Sequence, residues 1–176
     1  MTTEKTVNHT KISLVRDDIT LIDVDAFVFY ARPDLQLGTG IGNAIAVRGG
    51  PKIQEALDKL DKPEVGQVLV SEAGKLKAKN IIHAVGPVFQ EDDTEGKLRT
   101  TAQNVLETAE KHGVEKLALP AMGSGFYGVA PDMCAKVTLA VVNQHVKGQT
   151  KLKEVFFCLP DPRDMMPFQA RLEALT

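Results

Sequence analysis

The stretch that decides the fold is KLALPAMGSGFYGVAPDMCAKVTLAVV, Lys116 to Val142. Its first residues, Lys116 to Pro120, form a short apolar run suited to a buried strand. The turn Gly123-Ser124-Gly125-Phe126-Tyr127-Gly128 follows, and then Met133, Val137, Ala140 and Val141 recur at helical spacing. Pro131 stands in the first turn of that helix, where a missing N–H is harmless, and Gly148 closes it. Strand, glycine turn and helix in this order are the repeating unit of an open α/β sheet, whose ligands collect beyond the carboxyl ends of the strands. Glycines at 123, 125 and 128 allow positive φ and let a ligand reach the backbone without striking a Cβ. A row of amides ahead of a helix is an anion site, and a diphosphate suits it. Taken alone, the segment reads equally well as a tight connection.

Outward from this unit the same alternation continues. Thr10 to Val15, Val24 to Ala31, Val65 to Ser71, Asn80 to Val85 and Glu154 to Leu159 have the composition of strands. Helical spacing appears on either side of Gly49-Gly50-Pro51, from Leu98 to a stop at Gly113, and from Arg163 to Leu175. Glu91 to Glu95 reads as a solvated loop, and the residues before Thr10 as a polar lead. Helices interleaved with strands predict an α/β fold with a mostly parallel or mixed sheet covered on both faces. A second turn, Gly38-Thr39-Gly40-Ile41-Gly42, also follows a buried strand and precedes a helix, so two anion-compatible loops meet at one sheet edge. Neither the Walker lysine motif nor the Rossmann glycine spacing is present, so the turns define another kind of nucleotide site.

The 176 residues, 43% hydrophobic, suffice for one substantial core, and we expect a single domain over 1–176. A net charge of -2, with the basic residues dispersed, gives no strong nucleic-acid signal. Cys134 and Cys158 lie in apolar segments and read as reduced, buried thiols. Absence of a long apolar run and of a signal-like start predicts a cytoplasmic chain with no membrane partner. The sequence assigns no metal, no cofactor and no catalytic residue, and it leaves the oligomeric state open.

Four ordered segments carry a resemblance to the macro domain, an ADP-ribose-binding module, over nearly the whole chain. Asp17-Asp18-Ile19-Thr20 with Val24-Asp25-Ala26 is similar to that family's GDIT and VDA signatures. Gly38 to Ile41 stands where its first glycine loop stands, Ile81 to Pro87 resembles its IHTVGP strand, and Leu119 to Gly128 resembles its PAISTGIYG segment. The resemblance implies a three-layer α/β/α sandwich with about six mixed strands. It also implies ADP-ribose, free or on a modified substrate, lying across the crest. Asp18 would accept from the adenine amino group with Ile19 against the ring. The backbones of Gly38, Thr39, Gly40 and Ile41 and of Gly123, Ser124, Gly125 and Phe126 would hold the diphosphate, with Phe126 and Tyr127 near the distal ribose. Asp18 has a second reading as a turn cap beside Thr20, Phe126 as core, and His83 reads as structural.

The family's NAAN motif aligns with Phe29-Tyr30-Ala31-Arg32-Pro33, so both asparagines are lost, and the acid that some hydrolytic members carry after the first loop aligns with Gly42. Arginine is no general base at neutral pH. Arg32 is read as a contact to phosphate or a terminal acidic group, as a plug in the distal space, or as an ion pair with Asp34. Three functions follow: binding of ADP-ribose or a related nucleotide diphosphate, hydrolysis of an ADP-ribosylated compound by other groups, and an interaction scaffold with a relic pocket.

Overall fold

The structure is a computed structural model that describes residues 3–88 and 90–176. The apolar runs become β1 (Glu4–Val7), β2 (Thr10–Val15), β3 (Ala26–Tyr30), β4 (Val68–Glu72), β5 (Asn80–Ala84), β6 (Lys116–Leu119) and β7 (Glu154–Cys158) of one seven-stranded sheet. Its order is β1-β2-β7-β6-β3-β5-β4. The strands from β2 to β5 in this order run parallel, and β1 and β4 close the edges antiparallel. This is one strand more than the resemblance implied. The addition is β1, whose residues are only exposed or half-buried, so it carries no apolar signature. It pairs with β2 through a turn at Asn8, which takes a φ of 57°, a conformation asparagine tolerates well.

Central strand β3 is apolar and buried at every position because both faces are covered. On β3, Ala26, Val28 and Tyr30 face one core and Phe27 and Phe29 the other. The first core is completed by α3 (Thr94–Lys111), α4 (Pro131–Lys147) and α5 (Pro162–Glu173), the second by α1 (Ile41–Gly49) and α2 (Lys52–Asp58). The architecture is thus α/β/α. Helix α3 starts within the stretch read as a loop, because the Asp93 carboxylate accepts from the Gly96 N–H and caps it. It ends where Gly113 takes a φ of 66°. Helix α4 begins at Pro131 as expected, but Ala140 faces solvent and Cys134, Leu139 and Val142 face inward with Val137 and Val141. Both cysteines are free and buried. Among the described residues no helix is long and apolar enough to cross a membrane.

His83 is fully buried on β5. Its Nε2 lies 2.8 Å from Ser71 Oγ on β4, and its ring meets Phe29 edge-on. Ser71 Oγ also donates to the Glu72 carbonyl. This fits the tautomer protonated at Nε2, which leaves Nδ1, without a partner among the described residues, a lone pair and not a buried N–H. Burial pushes the imidazole pKa down to about 4. The unfolded chain therefore takes up a proton near pH 6.5 that the folded chain refuses until about pH 4. We expect stability to fall by about 3 kcal/mol as pH drops through this window, and His83→Gln to flatten that limb of the melting curve. A wild-type melting temperature unchanged between pH 7 and pH 4 would contradict a neutral buried His83.

Candidate functional site

Strands β3 and β6 are neighbours, but the chain leaving β3 enters helices packed on one face of the sheet, and the chain leaving β6 enters α4 on the other. Two parallel neighbours whose connections part in this way leave a crevice at their carboxyl ends. Here it widens into a cleft of about 660 Å³ along the tips of β2, β7, β6 and β3. Asp18, Ile19, Arg32, Thr39, Gly40, Ile41, Gly123, Ser124, Phe126 and Tyr127 all line it, while Gly38 and Gly125 flank it within the two glycine turns.

The first turn is held from below. Buried Leu35 takes a φ of 59°, and the Gln54 side chain on α2 accepts from the Leu37 N–H at 2.9 Å and donates to the Leu35 carbonyl at 3.0 Å. Gly38 and Gly40 take φ of 70° and 64°. The N–H groups of Gly38, Thr39, Gly40 and Ile41 have no acceptor among the described residues. Gly42 is buried where the turn folds back, and a Cβ there would fall inside the Leu37 carbonyl. The family's acidic position is therefore closed to any side chain in this backbone. Gln54 was not visible in the sequence as a site residue, since nothing in its local pattern tells that it reaches back to Leu35.

The second turn contains a single 3-10 turn, Gly125–Tyr127. Its Ser124 N–H is already bonded to the Ala121 carbonyl at 3.1 Å, so it is not available to a ligand as the resemblance implied. The Gly125 and Phe126 N–H groups have no acceptor among the described residues, and the space beside Gly125, at φ 69°, is open. Beneath the turn, Tyr30 donates to the Pro87 carbonyl and packs edge-on against Tyr127 at 4.8 Å. Its hydroxyl stands 3.3 Å from where a Gly123 Cβ would be, so the ring that replaces part of the NAAN motif supports the turn. Phe126 is not core: it is 95% exposed and meets Tyr127 edge-on.

At the distal end Arg32 forms an ion pair with Asp34 at 2.7 Å, one of its three readings, while still lining the cleft. At the other end Asp18 caps the turn at Thr20, one of its two readings, while lining the cleft. Its Oδ1 accepts from the Thr20 N–H and hydroxyl at 2.9 and 2.7 Å, and its Oδ2 from Arg48 Nη1 at 2.6 Å. Partial burial pushes its pKa up, but the bonds from Thr20 and Arg48 outweigh this and hold it below the ordinary carboxylate value. It is thus an ionised acceptor at neutral pH, set beside an apolar wall of Ile19, Cys158 and Pro160. Neither Arg48 nor Asp164, which enters the cleft from α5, stands in a local pattern that marks a site residue.

Sheet, layers and crevice define the class: an α/β/α sandwich with an anion-compatible cleft where its strand connections part. The Macro domain family model matches residues 31–138. The O-acetyl-ADP-ribose deacetylase of Cronobacter sakazakii is 31% identical over 92% of this chain and 93% of its own length. A macro domain-containing protein of Caldanaerobacter subterraneus is 33% identical over 94% of this chain and 97% of its own. The chain belongs to the macro domain family. Its fold superimposes with a TM-score of 0.93 on the Oceanobacillus iheyensis macrodomain with ADP, at 24% identity, covering 98% of this chain and 95% of that one. The Trypanosoma brucei macrodomain in complex with ADP-ribose gives a TM-score of 0.86 at 21% identity, covering 92% and 68%.

Because Gly42 is closed in by backbone, Gly42→Ala is expected to cost about 1–3 kcal/mol of folding stability in urea denaturation. Asn43→Ala, on the exposed side of the same turn, should stay within about 0.5 kcal/mol of wild type.

Proposed function

We propose that this protein binds ADP-ribose along the crest, with adenine at the β2 tip, the diphosphate between the two glycine turns and the distal ribose toward Arg32 and Tyr127. The observation that carries the reading is the convergence of two sets of unpaired amides, Gly38 to Ile41 and Gly125 with Phe126, on one cleft that has an ionised carboxylate at its far end. Amides held in place by β3, β6 and Gln54 meet an anion without reorganising. Asp18 retains acceptor capacity beyond its bonds to Thr20 and Arg48, because a carboxylate offers about four lone-pair positions. Exposed Phe126 stands at the rim, where it can lie over a bound ligand. Relatives named for ADP-ribose chemistry support the same ligand class. The Arg32–Asp34 pair leaves the cleft open, which counts against a relic pocket.

A second reading, release of an acyl group or a modified residue from ADP-ribose, is favoured by the name of the Cronobacter sakazakii relative. The cleft supports it less well. Gly42 excludes a side chain at one candidate acid position, and Asp34 near the distal end is committed to Arg32 and to the Gln36 N–H. No carboxylate or imidazole among the cleft-lining residues sits on the β3 side of the glycine turns. We therefore read the protein as a binder of ADP-ribose or of an ADP-ribosylated substrate.

Calorimetric titration with ADP-ribose tests this directly. Wild type is expected to bind. Asp18→Ala should weaken binding roughly 10- to 100-fold, the loss expected when a charged acceptor is removed. Gly125→Val, which puts a branched side chain in the open space before the amides, should bring it below detection at millimolar ligand. Absence of heat from the folded wild type would sink the proposal. O-acetyl-ADP-ribose should be released no faster by wild type than by Gly125→Val, and acetate accumulating well above that control would establish the second reading instead.

A further inference from the structure

Asp164 is a carboxylate that the site as described does not use. It stands in the first turn of α5, directly beyond the β7 tip, half-buried on the wall of the cleft. Among the described residues its carboxylate has one hydrogen-bond partner, Ser124 of the second glycine turn, whose hydroxyl donates to Oδ2 at 3.4 Å. The adjacent Arg163 does not pair with it. That guanidinium is turned onto Asp161, with Nε 3.1 and 3.2 Å from the two carboxylate oxygens and Nη2 at 2.7 Å. Among the described residues no cation forms a salt bridge with Asp164. Burial and the neighbouring charge of Asp161 raise its pKa above 3.8, outweighing the Ser124 hydrogen bond and the charge of Arg163. An unpaired carboxylate beside an anion-compatible turn is electrostatically unfavourable unless it has work with the ligand.

The order of strand tips says what that work is. Across the crest they run β2, β7, β6, β3, so the chemistry runs from the Asp18 carboxylate, past Asp164, to the amides of the second turn and then of the first. Neighbouring strands are about 4.8 Å apart. On the ADP-ribose reading proposed above, a nucleotide with its base over β2 and its first phosphate over β6 must carry its ribose across β7. A ribose presents two vicinal hydroxyls, which donate well to a carboxylate. A phosphate at the same place would meet a negative charge that no salt bridge among the described residues neutralises.

We infer that Asp164 is a specificity-determining residue that accepts from the 2′,3′-diol of the adenosine ribose and excludes nucleotides carrying a phosphate on that sugar. The protein is thereby restricted to ligands of the NAD-derived type and closed to those derived from its 2′-phosphorylated counterpart. Ser124 links the two halves of the device, holding the carboxylate against the turn that takes the diphosphate.

The test is calorimetric titration of the whole chain with ADP-ribose and with ADP-ribose bearing a 2′-phosphate on the adenosine ribose. Wild type is expected to prefer the unphosphorylated compound by about tenfold or more, and Asp164→Asn to narrow the preference to within about threefold, chiefly by binding the phosphorylated compound better. The 2′-deoxy analogue supplies a second readout: it should bind more weakly than ADP-ribose to wild type but equally to Asp164→Ala. Equal affinity of wild type for both ribose forms overturns the inference and leaves the ADP-ribose reading intact. So does an Asp164→Asn protein that melts lower yet keeps the full preference, since the residue would then serve only the end of α5. If wild type binds none of the three compounds, the ADP-ribose reading fails and this inference with it.

Discussion

The whole crest depends on β3 and β6 lying side by side while the chain leaving them goes to opposite faces of the sheet. Had both connections packed on one face, one would have covered the other's turn, and the glycine loops would be ordinary links. Parting them leaves a gap onto which the backbone of two glycine turns opens. Polar backbone needs partners, and the amides of Gly38 to Ile41, Gly125 and Phe126 have none among the described residues. Solvent or an anion completes them. The need for an open crevice and the need for glycine are thus one requirement, met twice.

The turns are built differently on this shared plan. The first is clamped by Gln54, whose amide serves one donor and one acceptor of the loop, and is closed from behind by Leu37 over Gly42. The second rests on Tyr30, wedged between Pro87 and Gly123. In both, side chains act as supports and backbone faces the cleft. A site of this kind tolerates loss of the family's asparagines as far as anion contact goes, because amide positions are set by the strands below. Catalysis has no such insurance, for it needs particular side chains in register.

Much of this was legible in the chain itself. Lys116 to Val142 announced strand, turn and helix because each has its own periodicity and the glycines and Pro131 mark the joints. The strands β2 and β5 and the helices around Pro51 came within a residue or two of their observed limits for the same reason. Strand β1 was not legible, since an edge strand of Glu, Lys, Thr and Val buries too little to leave a period-two signal. The start of α3 was misread because Asp93 caps it from an acidic stretch that looks like loop.

Sequence by itself determined which segments are buried, where the backbone must turn left-handed, and which two turns are rich in glycine, because these are local properties of apolar spacing and of glycine. Only tertiary structure decided which turns become neighbours, since that follows from strand order. It alone turned Arg163 away from Asp164, brought Gln54 back over 17 residues to Leu37, set Arg48 on Asp18, and left Phe126 in solvent. The contacts of Gln54 and Arg48 join residues 17 and 30 apart in the chain, whose distances are fixed only when the helices close on the sheet.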